Sequence, residues 1–195
     1  QKRLGVVPAN TDLTPRAQEM PSWDSVAPAD RKFASRLMEA YAAFLSHTDD
    51  QIGRLVAELE ADGRFDDTLF IYIVGDNGAS AEGGLEGSLS YMGKIQGLPE
   101  TQAARIAGID RIGGPDAHAH YNAGWAWAMD TPFQWTKTVA SHLGGTRNPL
   151  EAQPFANLSV AARSRSKDAR NQETAGLRRT AWLFAAAGIK AADGT

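Results

Sequence analysis

The chain is 195 residues long, 43% hydrophobic and 22% charged, with a net charge of -3 and no Cys. That is enough for one domain, or for a large piece of a bigger one, with an ordinary globular composition. It argues against a nucleic-acid binder that works by neutralising phosphates and against disulfide or thiolate-metal chemistry. No apolar run approaches the roughly 20 residues needed to span a bilayer.

The first residues, Gln1-Lys2-Arg3, carry neither an initiator Met nor a signal-peptide profile, so the expectation is of a chain that starts inside something longer. Residues 4–23 hold Pro8, Pro15 and Pro21 without sustained periodicity and read as an extended connecting segment. From Pro28 to Ala61, Phe33, Leu37, Tyr41, Leu45, Thr48, Ile52, Leu55 and Leu59 recur at three- and four-residue steps. This is one long amphipathic helix, started by Pro28 and stopped by Asp62-Gly63. At 1.5 Å per residue it runs roughly 45–50 Å, a length that predicts packing along a substantial sheet. His47, Asp49 and Asp50 within it are assigned to no site.

Thr68 to Val74 is a continuous apolar, β-branched and aromatic run ending at Gly75-Asp76-Asn77-Gly78. It reads as a strand buried on both faces, with the ligand expected beyond its carboxyl end. Asp76 and Asn77 offer two hard oxygen donors side by side, half of a divalent-cation site. The competing reading is ordinary Asp-Asn-Gly turn chemistry. Residues 79–87 are Gly-rich and are expected to form a mobile rim, with Glu82 and Glu86 as solvated surface carboxylates. A short helix is expected between Pro99 and Ile112, ended by Gly113-Gly114-Pro115.

Residues 118–135 carry Tyr121, Trp125, Trp127 and Trp135 interrupted by Gly and Pro, and read as neither a helix nor a clean strand. Such an aromatic loop either walls a pocket or forms a satellite core, and His118 and His120 are read as loop histidines. Lys137, His142, the pair Gly144-Gly145 and Arg147 follow within a short span. Together they form a candidate oxyanion-binding group, with the glycines allowing the backbone to approach an anion closely.

The order of Thr48-Asp49-Asp50-Gln51-Ile52-Gly53-Arg54-Leu55, Asp67-Thr68-Leu69 and Gly75-Asp76-Asn77-Gly78 resembles the sulfatases of the alkaline-phosphatase-like superfamily. The run from Gly124 to Lys137 and on through Gly144-Gly145-Thr146-Arg147-Asn148 is similar to a bacterial arylsulfatase branch. The resemblance implies an α/β fold, here a partial three-layer sandwich with a mixed sheet flanked by helices. It implies hydrolysis of sulfate esters with Ca2+ and a formylglycine nucleophile made from a Cys. Residue by residue, Asp76 and Asn77 match calcium ligands, and Lys137 matches the catalytic lysine that binds sulfate and helps neutralise charge on the leaving oxygen. His142 and Arg147 stand with Lys137 as substrate-binding residues, although Leu143 occupies the place of the family's usual Glu before the glycines.

Two departures qualify the likeness. With no Cys and no nucleophile segment, residues 1–150 look like part of a catalytic domain lacking its N-terminal half. That half is the expected partner, and the chain alone is expected to be inactive, which a sulfate-ester assay on the purified chain checks. Residues 151–182 diverge, in a basic patch that a compensated frame shift would explain, and residues 183–195 read as a short family-like tail. The alternatives are a phosphate or phosphonate ester hydrolase of the same superfamily and a degenerate, non-catalytic anion-binding module; the substrate and the compartment stay open.

Overall fold

A computed structural model describes residues 2–3, 7–73, 78–146 and 150–153. The chain divides into two compact units, one formed by residues 1–10, 43–75 and 149–195 and the other by residues 11–42 and 76–148. Asp76, Asn77 and Arg147, and the expected divergent segment and tail from residue 154 onward, lie outside the described residues.

Helix α1 runs Pro28–Ala61, the bounds that the sequence signals predict. Its end is a Schellman closure: the amide of Gly63 donates to the carbonyl of Glu60 at 3.0 Å and that of Arg64 to Leu59 at 3.0 Å. This closure requires the left-handed φ of +64° that Gly63 adopts. The buried stripe of α1, however, is confined to Phe33, Ala34, Leu37, Met38 and Ala42 in its first half. Phe44 and Leu55 farther along are 68% and 53% exposed. The expectation of a helix lying along a broad sheet is thus corrected among the described residues.

In the first unit, a turn of 3-10 helix at Phe65–Asp67 leads into β1, Phe70–Ile73. Strand β1 pairs antiparallel with β2, Leu150–Gln153, placing Phe70 opposite Gln153 and Ile73 opposite Leu150. The sequence reading of β1 as buried on both faces is overturned. Ile71 and Ile73 are 52% and 57% exposed while Phe70 and Tyr72 are half-buried, the alternation of a strand covered on one face. A lone strand pair is the whole of the sheet among the described residues, so the expected three-layer sandwich is not seen there.

The second unit holds the core. Phe33 and Leu37 of α1 pack with Ile109 and Ile112, and Ala40, Leu89, Ile106, Ala119 and Tyr121 close around them. Helix α2, Tyr91–Ile95, and helix α3, Gln102–Ala107, are single short turns capped by Ser90 and Thr101. Arg36 reaches from α1 to the carbonyl of Ile112 at 2.8 Å.

Helix α4, Ala123–Asp130, corrects the expectation of an irregular aromatic loop. Asn122 caps it by accepting from the amide of Trp125 at 3.2 Å. The Trp125 indole serves packing: its ring lies 5.7 Å from that of Trp23, and its Nε1 donates to the Ala34 carbonyl at 3.0 Å. Helix α5, Leu143–Thr146, is a single turn carrying the buried Gly144 and Gly145.

Candidate functional site

The segment that follows Asn77 has no helix or strand, as expected, and much of it is packed inside the fold. Gly78, Ala79, Ser80, Gly83, Gly87 and Ser88 are all buried. Gly78 has a φ of +88°, and a Cβ placed there would overlap the carbonyl oxygen of Gly144. A Cβ on Gly144 would in turn overlap the carbonyl oxygens of Gln134 and Trp135, and one on Gly145 that of Val139. The glycine pair is therefore required for backbone-to-backbone packing.

This packing carries Lys137 to the turn. The Lys137 amide donates to the carbonyl of Ala79 at 3.0 Å, and the Ala79 amide donates to Oδ1 of the buried Asp130 at 2.8 Å. The ammonium of Lys137 meets Oε2 of Glu82 at 3.3 Å, with the two side chains 40% and 34% exposed. The same Oε2 accepts from the Ser80 hydroxyl at 2.8 Å and from the Tyr91 hydroxyl at 3.0 Å. Ser80 is itself fixed: its amide donates to the Tyr121 hydroxyl at 3.0 Å, and its Oγ lies 3.0 Å from Nε2 of His120. Nδ1 of His120 lies 2.8 Å from the Tyr121 carbonyl, an obligate acceptor, so that nitrogen carries a proton.

Glu86 is exposed as expected, whereas Glu82 is thus an anchored, partly exposed carboxylate. Hydrogen bonds from Ser80 and Tyr91, with a smaller contribution from Lys137, hold its carboxyl below the usual range against the opposing effect of burial. The bond to Glu82 raises the Tyr91 phenol, and burial adds to the shift. A carboxylate depressed in the folded state contributes stability fully above its unfolded value, about 4.3. That contribution is lost as pH falls through the lower folded value. The stability difference between the protein and E82Q is accordingly expected to be constant near neutrality and to shrink below about pH 4. Urea unfolding of both across that range measures it; a difference that holds constant down to about pH 3 contradicts the assignment.

Of the other expected site residues, His142 is exposed, with its Nδ1 2.7 Å from the Ser141 hydroxyl and its ring 6.2 Å from that of Trp135. No hydrogen bond or ion pair joins it to Lys137 among the described residues. His118 is exposed and His120 half-buried, both on a loop that bridges back to Ser90 and Ser88. Sequence reasoning did not select Ser80, Tyr91 or Tyr121; the Ser80-x-Glu82 spacing, which favours a local side-chain turn, was the available signal. Trp135 and Thr138 bracket Lys137 with φ of 65° and 79°, rare values for residues with side chains.

Among the described residues no group of three or more His, Cys, Asp or Glu is arranged to hold a metal ion. No helix there is long and apolar enough to cross a membrane. What the geometry offers is an ammonium beside an ordered carboxylate, next to the turn that follows an Asp-Asn pair.

Comparison with known proteins gives this arrangement a context. The family described as Sulfatase matches residues 9–150. The chain is 27% identical over 144 residues to an arylsulfatase of Klebsiella aerogenes, a match covering 74% of this chain and 29% of that protein. It is 29% identical over 150 residues to an uncharacterized sulfatase of Schizosaccharomyces pombe, covering 76% of this chain and 26% of that protein. The chain thus spans between a quarter and a third of the length of these curated relatives.

Proposed function

The chain belongs to the sulfatase family, and from that premise we propose that it is the part of a sulfuric ester hydrolase, of arylsulfatase type, that supplies calcium ligands and the cations that meet the sulfate. Membership brings the α/β fold of the alkaline-phosphatase-like superfamily, and the partial three-layer sandwich is the arrangement proposed for it. Asp76 and Asn77 are hard oxygen donors of the kind calcium takes, and as two of the six to eight that it requires they form part of a set. Calcium, when bound, supplies positive charge to the sulfate oxygens. Lys137 binds the same sulfate and offsets charge on the leaving oxygen, with His142 and Arg147 as further substrate-binding groups. The formylglycine nucleophile, made from the Cys or Ser of a Cys/Ser-x-Pro-x-Arg motif, is read as supplied by a segment other than these 195 residues, which contain no such motif, and the chain alone is read as inactive.

The observation that carries the reading is the seating of Lys137. Its amide is bonded to Ala79, and Gly144 of the same stretch lies against Gly78, the residue next after Asn77. Calorimetry with calcium and then inorganic sulfate tests the reading. K137A is expected to keep any calcium response and to lose the sulfate response. In the complete enzyme, K137A is expected to lower aryl sulfate hydrolysis by about a hundredfold, the scale of one lost charge-stabilising donor. A K137A enzyme that retains full turnover sinks the assignment, and a preference for phosphate over sulfate monoesters favours the related phosphate or phosphonate ester hydrolase instead.

A further inference from the structure

We propose that Glu82 is a positioning residue for Lys137: its carboxylate, fixed by Ser80 and Tyr91, holds the lysine ammonium in the orientation in which it meets the sulfate. The inference rests on the sulfatase reading of Lys137 and adds a residue which that reading does not use.

A lysine carries about 2 kcal/mol of rotamer entropy on a flexible four-carbon stem, so an ammonium anchored only through its backbone samples many positions. Lys137 is anchored at both ends, by its amide on the Ala79 carbonyl at 3.0 Å and by its Nζ on Glu82 Oε2 at 3.3 Å. A partly exposed ion pair contributes little when both partners must be ordered to form it. Here the carboxylate is ordered without the lysine. The Ser80 and Tyr91 hydroxyls donate to Oε2 at 2.8 and 3.0 Å, and Ser80 is held through its amide by the Tyr121 hydroxyl. Three groups, Ser80, Tyr91 and Lys137, converge on one oxygen.

An ammonium has three protons; Glu82 takes one and leaves the others for a tetrahedral anion. The carboxylate's negative charge also opposes an incoming sulfate, so Glu82 contributes to orientation and not to affinity. That distinction sets the kinetic signature: losing the carboxylate lowers kcat while KM stays level or falls.

Two measurements test this. In the 195-residue chain with 15N-labelled lysine, the Lys137 ammonium signal is assigned by its absence in K137R. Its hydrogen exchange is expected to rise about fivefold in E82Q, the scale of a partly exposed ion pair. The rise should be smaller in Y91F, which loosens the carboxylate without touching the lysine, and partly reversed in E82D. In the complete enzyme acting on an aryl sulfate, E82Q is expected to lower kcat about tenfold at unchanged or lower KM. Exchange indifferent to E82Q and Y91F overturns the proposal, as does an E82Q enzyme with unchanged or raised kcat while the unaltered enzyme is active. If the complete enzyme hydrolyses no sulfate ester at all, the sulfatase reading itself fails. An exchange response that persists in that case reduces the contact to an ion pair of the fold and overturns the positioning role with it.

Discussion

Replacing Gly78 with Ala is expected to destabilise the protein by at least about 3 kcal/mol, summing the strain of a left-handed backbone and the cost of overpacking. The first contribution comes from the φ of +88°, which L side chains rarely adopt. The second comes from the Gly144 carbonyl oxygen, which the new Cβ would overlap. A flexible side chain yields to such an intrusion, but this oxygen belongs to a glycine whose own faces are closed by Gln134, Trp135 and Gly78. Relief therefore requires the turn after Asn77 and the α5 turn to separate. Gly97 supplies the control, because its φ of +76° is comparable and nothing lies within 4 Å of a Cβ there. G97A should lose only about 1 kcal/mol. Urea midpoints of the two variants compare strain alone with strain plus overlap; equal losses in both would show that the two turns are not in contact.

Phe33→Ala is expected to lose about 3–5 kcal/mol, the range for truncating a fully buried aromatic ring. Phe33 is 1% exposed and sits with Leu37, Ile109 and Ile112 in a small cluster of buried apolar side chains. Few neighbours are available to refill the space, which places the cost toward the upper end. Against a total stability of about 5–15 kcal/mol for an ordinary domain, such a loss unfolds a sizeable fraction of molecules at physiological temperature. F33L, which keeps most of the volume, should lose less than about 1.5 kcal/mol. Denaturant unfolding monitored by tryptophan fluorescence reads both, since Trp125 is bonded to the Ala34 carbonyl beside Phe33. A loss below about 1 kcal/mol in F33A is incompatible with the burial of this ring.

Local signals were legible in the sequence where a single stretch of chain settles the outcome. Pro28 and Asp62-Gly63 bracket α1 because a missing amide suits the first turn of a helix and a left-handed glycine suits its end. Whether a strand or helix face is covered depends on residues far away in sequence, and there the reading failed. The apolar run of β1 fits two covered faces as well as one, and the stripe of α1 continues past the point where burial stops. Helix α4 was hidden by the alternation Trp125-Ala126-Trp127-Ala128 between Gly and Pro, although its cap, Asn122, was in plain view. The candidate site divides in the same way. Lys137 could be selected by resemblance, whereas the convergence of Ser80, Tyr91 and Lys137 on Glu82 exists only after folding. Asp76, Asn77 and Arg147 remain the sequence's own proposals, outside the described residues.

The backbone around Lys137 also bears on how this protein can be engineered. Trp135 and Thr138 hold left-handed dihedrals that a glycine adopts freely, and each forgoes on the order of 1–2 kcal/mol by keeping a side chain there. A search for heat-resistant variants should therefore enrich glycine or asparagine at these two positions, so that the melting point climbs at a bend within two residues of the ammonium-bearing Lys137 without any change to the buried core.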